Sequence, residues 1–113
     1  MFFDPQCKPA NAQAAAWVSV RTQAQVCLDA IDLIEQRGWC QGTAEEPGTP
    51  DKPGPVCVSR ALFLACPHSY VLRSALCNKL SGLVSTRYVH LWNDVPGRTK
   101  AEVVAMLRKA AAL

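Results

Sequence analysis

Apolar residues recur at steps of three and four along several stretches of the chain, the spacing of a helix with one buried face. Val20, Ala24, Cys27, Ile31 and Ile34 fall on one such stripe, while Asp29, Asp32, Glu35 and Gln36 occupy the opposite side. Helix-permissive, alanine-rich sequence begins at Ala10, and Arg37-Gly38 predicts the stop: a cation near the last carbonyls, then a residue free to take positive φ. Val58, Ala61, Leu62 and Ala65 make a shorter stripe that must end before Pro67, because the residue preceding proline is pushed out of the helical region. Leu72, Leu76, Leu80 and Leu83 form the inward face of a helix from about Ser69 to Leu83, with Arg73 and Lys79 off the stripe.

The last helix is the clearest. Thr99 and Glu102 form a T-x-x-E capping box, in which each side chain satisfies a backbone donor left free at the helix start, and Val103, Met106, Leu107 and Ala110 follow as its apolar face. Tyr88 to Trp92 suits a strand by residue type, but no second strand is available to pair with it. A short helical turn is expected instead, ended by Asn93-Asp94 and a Pro96-Gly97 turn. Between Trp39 and Val56 the four prolines and three glycines exclude regular structure.

These elements define an all-α fold of four to five short helices. A length of 113 residues fits one domain. The expected organisation is a loosely attached arm over residues 1–9 and a helical domain over 10–113, with residues 43–56 as an exposed Pro/Gly-rich loop. Val20, Cys27, Ile31, Ile34, Leu62, Leu72, Leu76, Leu80, Trp92, Val103 and Leu107 should make the core. An apolar content of 50% with 19% charged residues excludes an intrinsically disordered chain. The longest apolar runs, such as Ala61 to Cys66, are far too short to span a bilayer, and Asp4, Pro5 and Lys8 interrupt any leader-like start. No membrane association and a cytoplasmic location are therefore expected.

Charge is divided along the chain. Residues 1–56 hold four basic and seven acidic side chains, a net of −3, and residues 57–113 hold eight basic and two acidic, a net of +6. Such a split suits an anionic ligand, self-association, or two halves that neutralise each other across the fold. An exposed apolar surface from Phe2, Phe3, Trp17 and Val18 would also suit self-association or a protein partner.

Six cysteines (Cys7, Cys27, Cys40, Cys57, Cys66 and Cys77) invite a disulfide framework, yet no secretory segment accompanies them, and Cys27 and Cys77 lie among apolar residues at helical spacing. Cys40, Cys57, Cys66, His68, Cys77 and His90 are zinc-type ligands without the short C-x(2–4)-C knuckle, so no metal is expected. Nor is a cofactor, since no G-x-x-x-x-G-K-[ST] loop is present.

Two stretches carry a resemblance: Ile34-Glu35-Gln36-Arg37-Gly38-Trp39-Cys40-Gln41-Gly42, and Leu91-Trp92-Asn93-Asp94-Val95-Pro96-Gly97-Arg98-Thr99 with Glu102-Val103-Val104. Together they resemble a family of small actinobacterial and actinobacteriophage proteins of unassigned activity. In that family a helix ends in a G-W/H-x-x-G turn, a C-A-x-G-A-L helix follows, and a W-N-D-x-P-G-R-T-x-x-E-V segment starts the last helix. Cys57-Val58-Ser59-Arg60-Ala61-Leu62 matches the middle element only in its Cys and its Ala-Leu, with Ser59-Arg60 where the family has a small residue and glycine. The resemblance implies a phage or actinobacterial source and no particular activity.

Three functional readings follow. The first is binding: a small non-enzymatic protein that engages a host protein or an anionic ligand through its basic second half. Arg98, Lys100 and the free amides beyond Thr99 would then meet a phosphate at the last helix start, with Arg87, Trp92, Asn93 and Asp94 nearby. The structural alternative makes Trp92 to Arg98 a corner, in which Asn93 and Asp94 bond nearby backbone and stop a helix. The second is a cysteine hydrolase with Cys57 at a helix N-terminus, His90 as base and Asn93 or Asp94 as its orienter. The flanking residues of papain-type enzymes are absent. The third is a phage structural or assembly protein.

Overall fold

The computed structural model describes residues 22–42, 49 and 51–113. Among them are five helices: α1 (Gln23–Arg37), α2 (Val58–Ala65), α3 (Tyr70–Leu83), α4 (Val89–Asn93) and α5 (Lys100–Ala111). The all-α expectation holds. The expected arm, Val20 and the rest of residues 1–21, and residues 43–48 and 50 of the expected exposed loop, lie outside the described residues.

Four of the five helices start where a side chain satisfies a free amide; α4, which follows Tyr88, has no side-chain cap. Thr22 and Gln25 make a capping box at α1 that the sequence reading did not anticipate, and Thr99 and Glu102 make the expected one at α5. Ser69 accepts from Leu72 N at 3.1 Å to cap α3. Cys57 does the same for α2 through its sulfur, which accepts from Arg60 N at 3.4 Å. α1 ends at Gly38, whose N–H bonds Ile34 O at 2.8 Å and whose φ of +92° is closed to most side chains.

α1 packs along both α5 and α2, and α3 and α4 complete the enclosure. Val26, Ala30, Ile34, Val58, Leu62, Leu76, Leu80, Val103 and Leu107 are almost wholly removed from water. At roughly 1.5–3 kcal/mol for each fully buried aliphatic side chain, this cluster is the main favourable term in folding. Leu72 and Trp92, expected in the core, are only partly buried and pack against its margin.

The expected exposed loop over 43–56 needs correction at its end. Val56 is fully buried, and its backbone pairs with the segment after α1: Val56 N donates to Gly38 O at 3.0 Å and Cys40 N to Val56 O at 3.1 Å. This parallel bridge between Trp39 and Val56 draws the loop's exit into the core, so apolarity at Val56 outweighs the turn-forming residues before it. Arg37 Nε adds a bond to Gly54 O at 2.8 Å.

α3 ends in a Schellman motif. Thr86 N donates to Ser81 O at 2.9 Å and Ser85 N to Gly82 O at 3.3 Å, with Ser85 at φ +54° in the position that glycine usually fills. A side chain there costs roughly 1–2 kcal/mol against its neighbouring carbonyl. Ser85→Gly should therefore raise the unfolding free energy by about 1 kcal/mol. Urea titration checks this; an unchanged or lowered midpoint contradicts the assignment.

Candidate functional site

The W-N-D-x-P-G-R-T segment runs from the end of α4 to the start of α5, and its centre is Asn93, the only buried polar or charged residue among those described. Its Oδ1 accepts from Trp39 Nε1 at 2.7 Å and from Val58 N at 3.1 Å. Its Nδ2 donates to Cys40 O at 3.2 Å and to Asp94 Oδ1 at 2.9 Å. A carboxamide has two donor hydrogens and two acceptor lone pairs, so all its capacity is used. Three segments meet there: the chain leaving α1, the first residue of α2 and the end of α4.

Further bonds surround this centre. Gln41 Nε2 donates to Asn93 O at 3.0 Å and Val95 O at 2.9 Å, and Gly42 N donates to Asp94 Oδ1 at 2.7 Å. The bonds from Asn93 and from Gly42 hold the Asp94 carboxyl below its ordinary pKa of 3.8, with only a lesser pull from His90. Arg98 Nε donates to Trp92 O at 3.0 Å, and its guanidinium lies 3.9 Å from the Trp92 ring centroid. The Thr99 amide donates to Glu102 Oε1 at 2.9 Å, which holds that carboxyl below its usual range.

The expected binding residues thus separate into three places. Trp92, Asn93, Asp94, Arg98 and Thr99 are joined with Glu102 in one corner. Lys100 turns to α1, where its Nζ meets Glu35 Oε1 at 2.7 Å. Arg87 stands apart, its guanidinium 5.6 Å from the Tyr88 ring. At the start of α5, where a phosphate was expected, the chain supplies its own carboxylate in Glu102, and Arg98 faces that carboxylate at 3.5 Å. An open groove of about 510 Å³ lies beside it, lined by Glu35, Lys100, Ala101, Val104, Ala105 and Arg108.

For the hydrolase residues, the Cys57 sulfur caps α2, Asp94 serves Asn93 and Gly42, and His90 is exposed with its ring stacked on Tyr88 at 5.6 Å. Burial pushes the Cys27 and Cys77 thiols up, against smaller opposing pulls from Lys79 and Arg73, which keeps both protonated near neutrality. Among the described residues no group of three or more His, Cys, Asp or Glu side chains is placed to hold a metal ion, and no helix is long and apolar enough to cross a membrane.

One cluster was not foreseen. On α2 and α3 the Arg73 guanidinium lies 4.9 Å from the Phe63 ring centroid and 6.0 Å from that of Tyr70, with Arg60 5.8 Å from Phe63. Arg60/Phe63 and Tyr70/Arg73 are each three residues apart, so helical spacing carried the signal within each helix. The approach of the two helices did not show.

A buried side-chain amide that joins a glycine-ended first helix to a tryptophan corner defines a small helical protein with a structural, self-satisfied W-N-D-x-P-G-R-T motif. The chain belongs to the family of unknown function DUF6197, which it matches over residues 18–113. No curated protein and no solved structure matches it.

Removing the amide takes the acceptor from the Val58 N–H and the Trp39 ring N–H, at about 1–3 kcal/mol for each buried group left unsatisfied. Asn93→Ala should lower the unfolding free energy by about 3 kcal/mol or more. A loss below about 1 kcal/mol in urea titration would contradict the central role of Asn93.

Acid should act through Asp94. A carboxyl whose folded pKa is depressed contributes stability in full above its unfolded value, here 3.8, and loses it as pH falls through the folded value. Melting temperature should fall as pH drops below about 4, and Asp94→Asn should flatten that fall. Parallel acid slopes in the two proteins would refute this.

Proposed function

We propose that this chain is a non-enzymatic binding protein that engages an anionic partner through its basic second half. The observation that carries the reading is how the cations of that half are used. Arg98 and Lys100 already face Glu102 and Glu35. Arg60, Arg73, Lys79 and Arg87 face no carboxylate among the described residues, and no acidic residue occurs from Cys57 to Asn93. Cations without internal partners raise the local positive potential and speed encounter with negative surfaces. The corner, on this reading, is scaffold, and the working charge lies on α2, α3 and the turn before α4.

The motif resemblance extends the proposal to a phage-type or actinobacterial protein acting on a host protein in the cytoplasm. Binding through unpaired charge has a simple signature. Polyglutamate or an oligodeoxythymidine, added at low ionic strength, should raise the melting temperature, and high salt should abolish the rise. If neither polyanion shifts the melting temperature at any salt concentration, the reading fails.

A further inference from the structure

We propose that the face formed by Arg60, Phe63, Tyr70, Val71 and Arg73 is the docking site for a protein partner whose contact surface is acidic around an apolar centre. The proposal rests on the anionic-partner reading above and names the face and the occupant.

The face is continuous. Arg73 lies against both the Phe63 and the Tyr70 rings, so its guanidinium bridges α2 and α3, and Arg60 lies against Phe63 from within α2. Arg73 Nη1 also donates to Cys66 O at 2.6 Å, which fixes the side chain at the turn between the helices. Held arginines lose less freedom on binding than free ones.

It is also apolar where a folded monomer has no use for apolarity. Phe63 is 43% exposed, Tyr70 73% and Val71 78%, while Leu76 and Leu80 on the same α3 are fully buried. α3 therefore presents an apolar inner face and a second, outward apolar edge beside two guanidiniums. Arginine and tyrosine are the residue types that dominate binding energy at protein interfaces.

Charge selects an acidic occupant. Neither Arg60 nor Arg73 has a carboxylate partner among the described residues, and the sequence around them supplies none. Guanidiniums match carboxylates in paired, charge-assisted hydrogen bonds.

A protein is favoured over nucleic acid for two reasons. Both aromatic rings of the α2–α3 cluster already carry guanidinium, so a base would have to displace an arginine in order to stack. The most exposed apolar side chain is the aliphatic Val71, which offers a base no stacking surface but suits an apolar partner side chain.

The test uses fluorescence anisotropy on the full chain. The probes are a labelled helical peptide with glutamates flanking a leucine stripe, the same peptide with lysines for glutamates, and a labelled oligodeoxythymidine. The acidic peptide should bind, and the lysine peptide should not. Arg60→Glu and Val71→Asp, both at exposed positions, should each weaken binding at least about tenfold, while Lys109→Glu on α5 should change it less than about twofold. Circular dichroism and melting confirm that each variant is folded.

Equal losses for Arg60→Glu and Lys109→Glu would overturn the docking face and leave the broader anionic reading standing. Tighter binding of the oligonucleotide, lost in Arg60→Glu, would overturn the protein partner in favour of nucleic acid. Absence of binding by all the probes would overturn both the face and the reading it rests on.

Discussion

Everything in this fold turns on one buried carboxamide. Asn93 reaches Trp39 and Val58 through its oxygen and Cys40 through its nitrogen, residues more than thirty positions away in sequence. A buried polar group is expensive unless satisfied, and satisfied only in one geometry, so it fixes register where apolar contacts alone would tolerate sliding. Aspartate would lack the donors and leucine would lack both functions. The same centre explains why the motif needs its neighbours: Asp94 takes the second amide hydrogen and the Gly42 amide, and Arg98 closes over Trp92.

What the sequence made legible was local. Helical stripes located α2, α3 and α5, the T-x-x-E box located the start of α5, and Gly38 marked the end of α1, because each depends on residues within a turn or two of one another. The reading of Trp92 to Arg98 as a corner also came from local chemistry. What stayed hidden joins distant segments: the Trp39–Asn93 bond, the draw of Val56 into the core, and the meeting of Phe63 with Arg73. Ser85 escaped for the opposite reason, since no residue-type rule marks a serine as the occupant of a glycine position.

The sign division along the chain finds its structural expression in pairing. Lys100 and Glu35 join the basic and acidic halves directly across α5 and α1, an exposed contact worth little in stability. Among the described residues no comparable contact reaches Arg60 or Arg73, so internal neutralisation, one of the three expectations for the split, does not extend there to α2 and α3. At the start of α5, where a phosphate was expected, the Thr99 amide is taken by the Glu102 carboxylate and the Glu102 amide by the Thr99 hydroxyl.

The bridge between Trp39 and Val56 has an implication for how this chain tolerates change. The connection is clamped on both sides, at Gly38, Cys40, Gln41 and Gly42 after α1 and at Gly54 and Val56 before α2, so its two flanks are fixed to the body of the fold. Lengthening a tethered connection costs only about 0.6 kcal/mol for each doubling. Residues added between those two anchorages would therefore cost little in chain entropy and leave the bonds on either side unaltered.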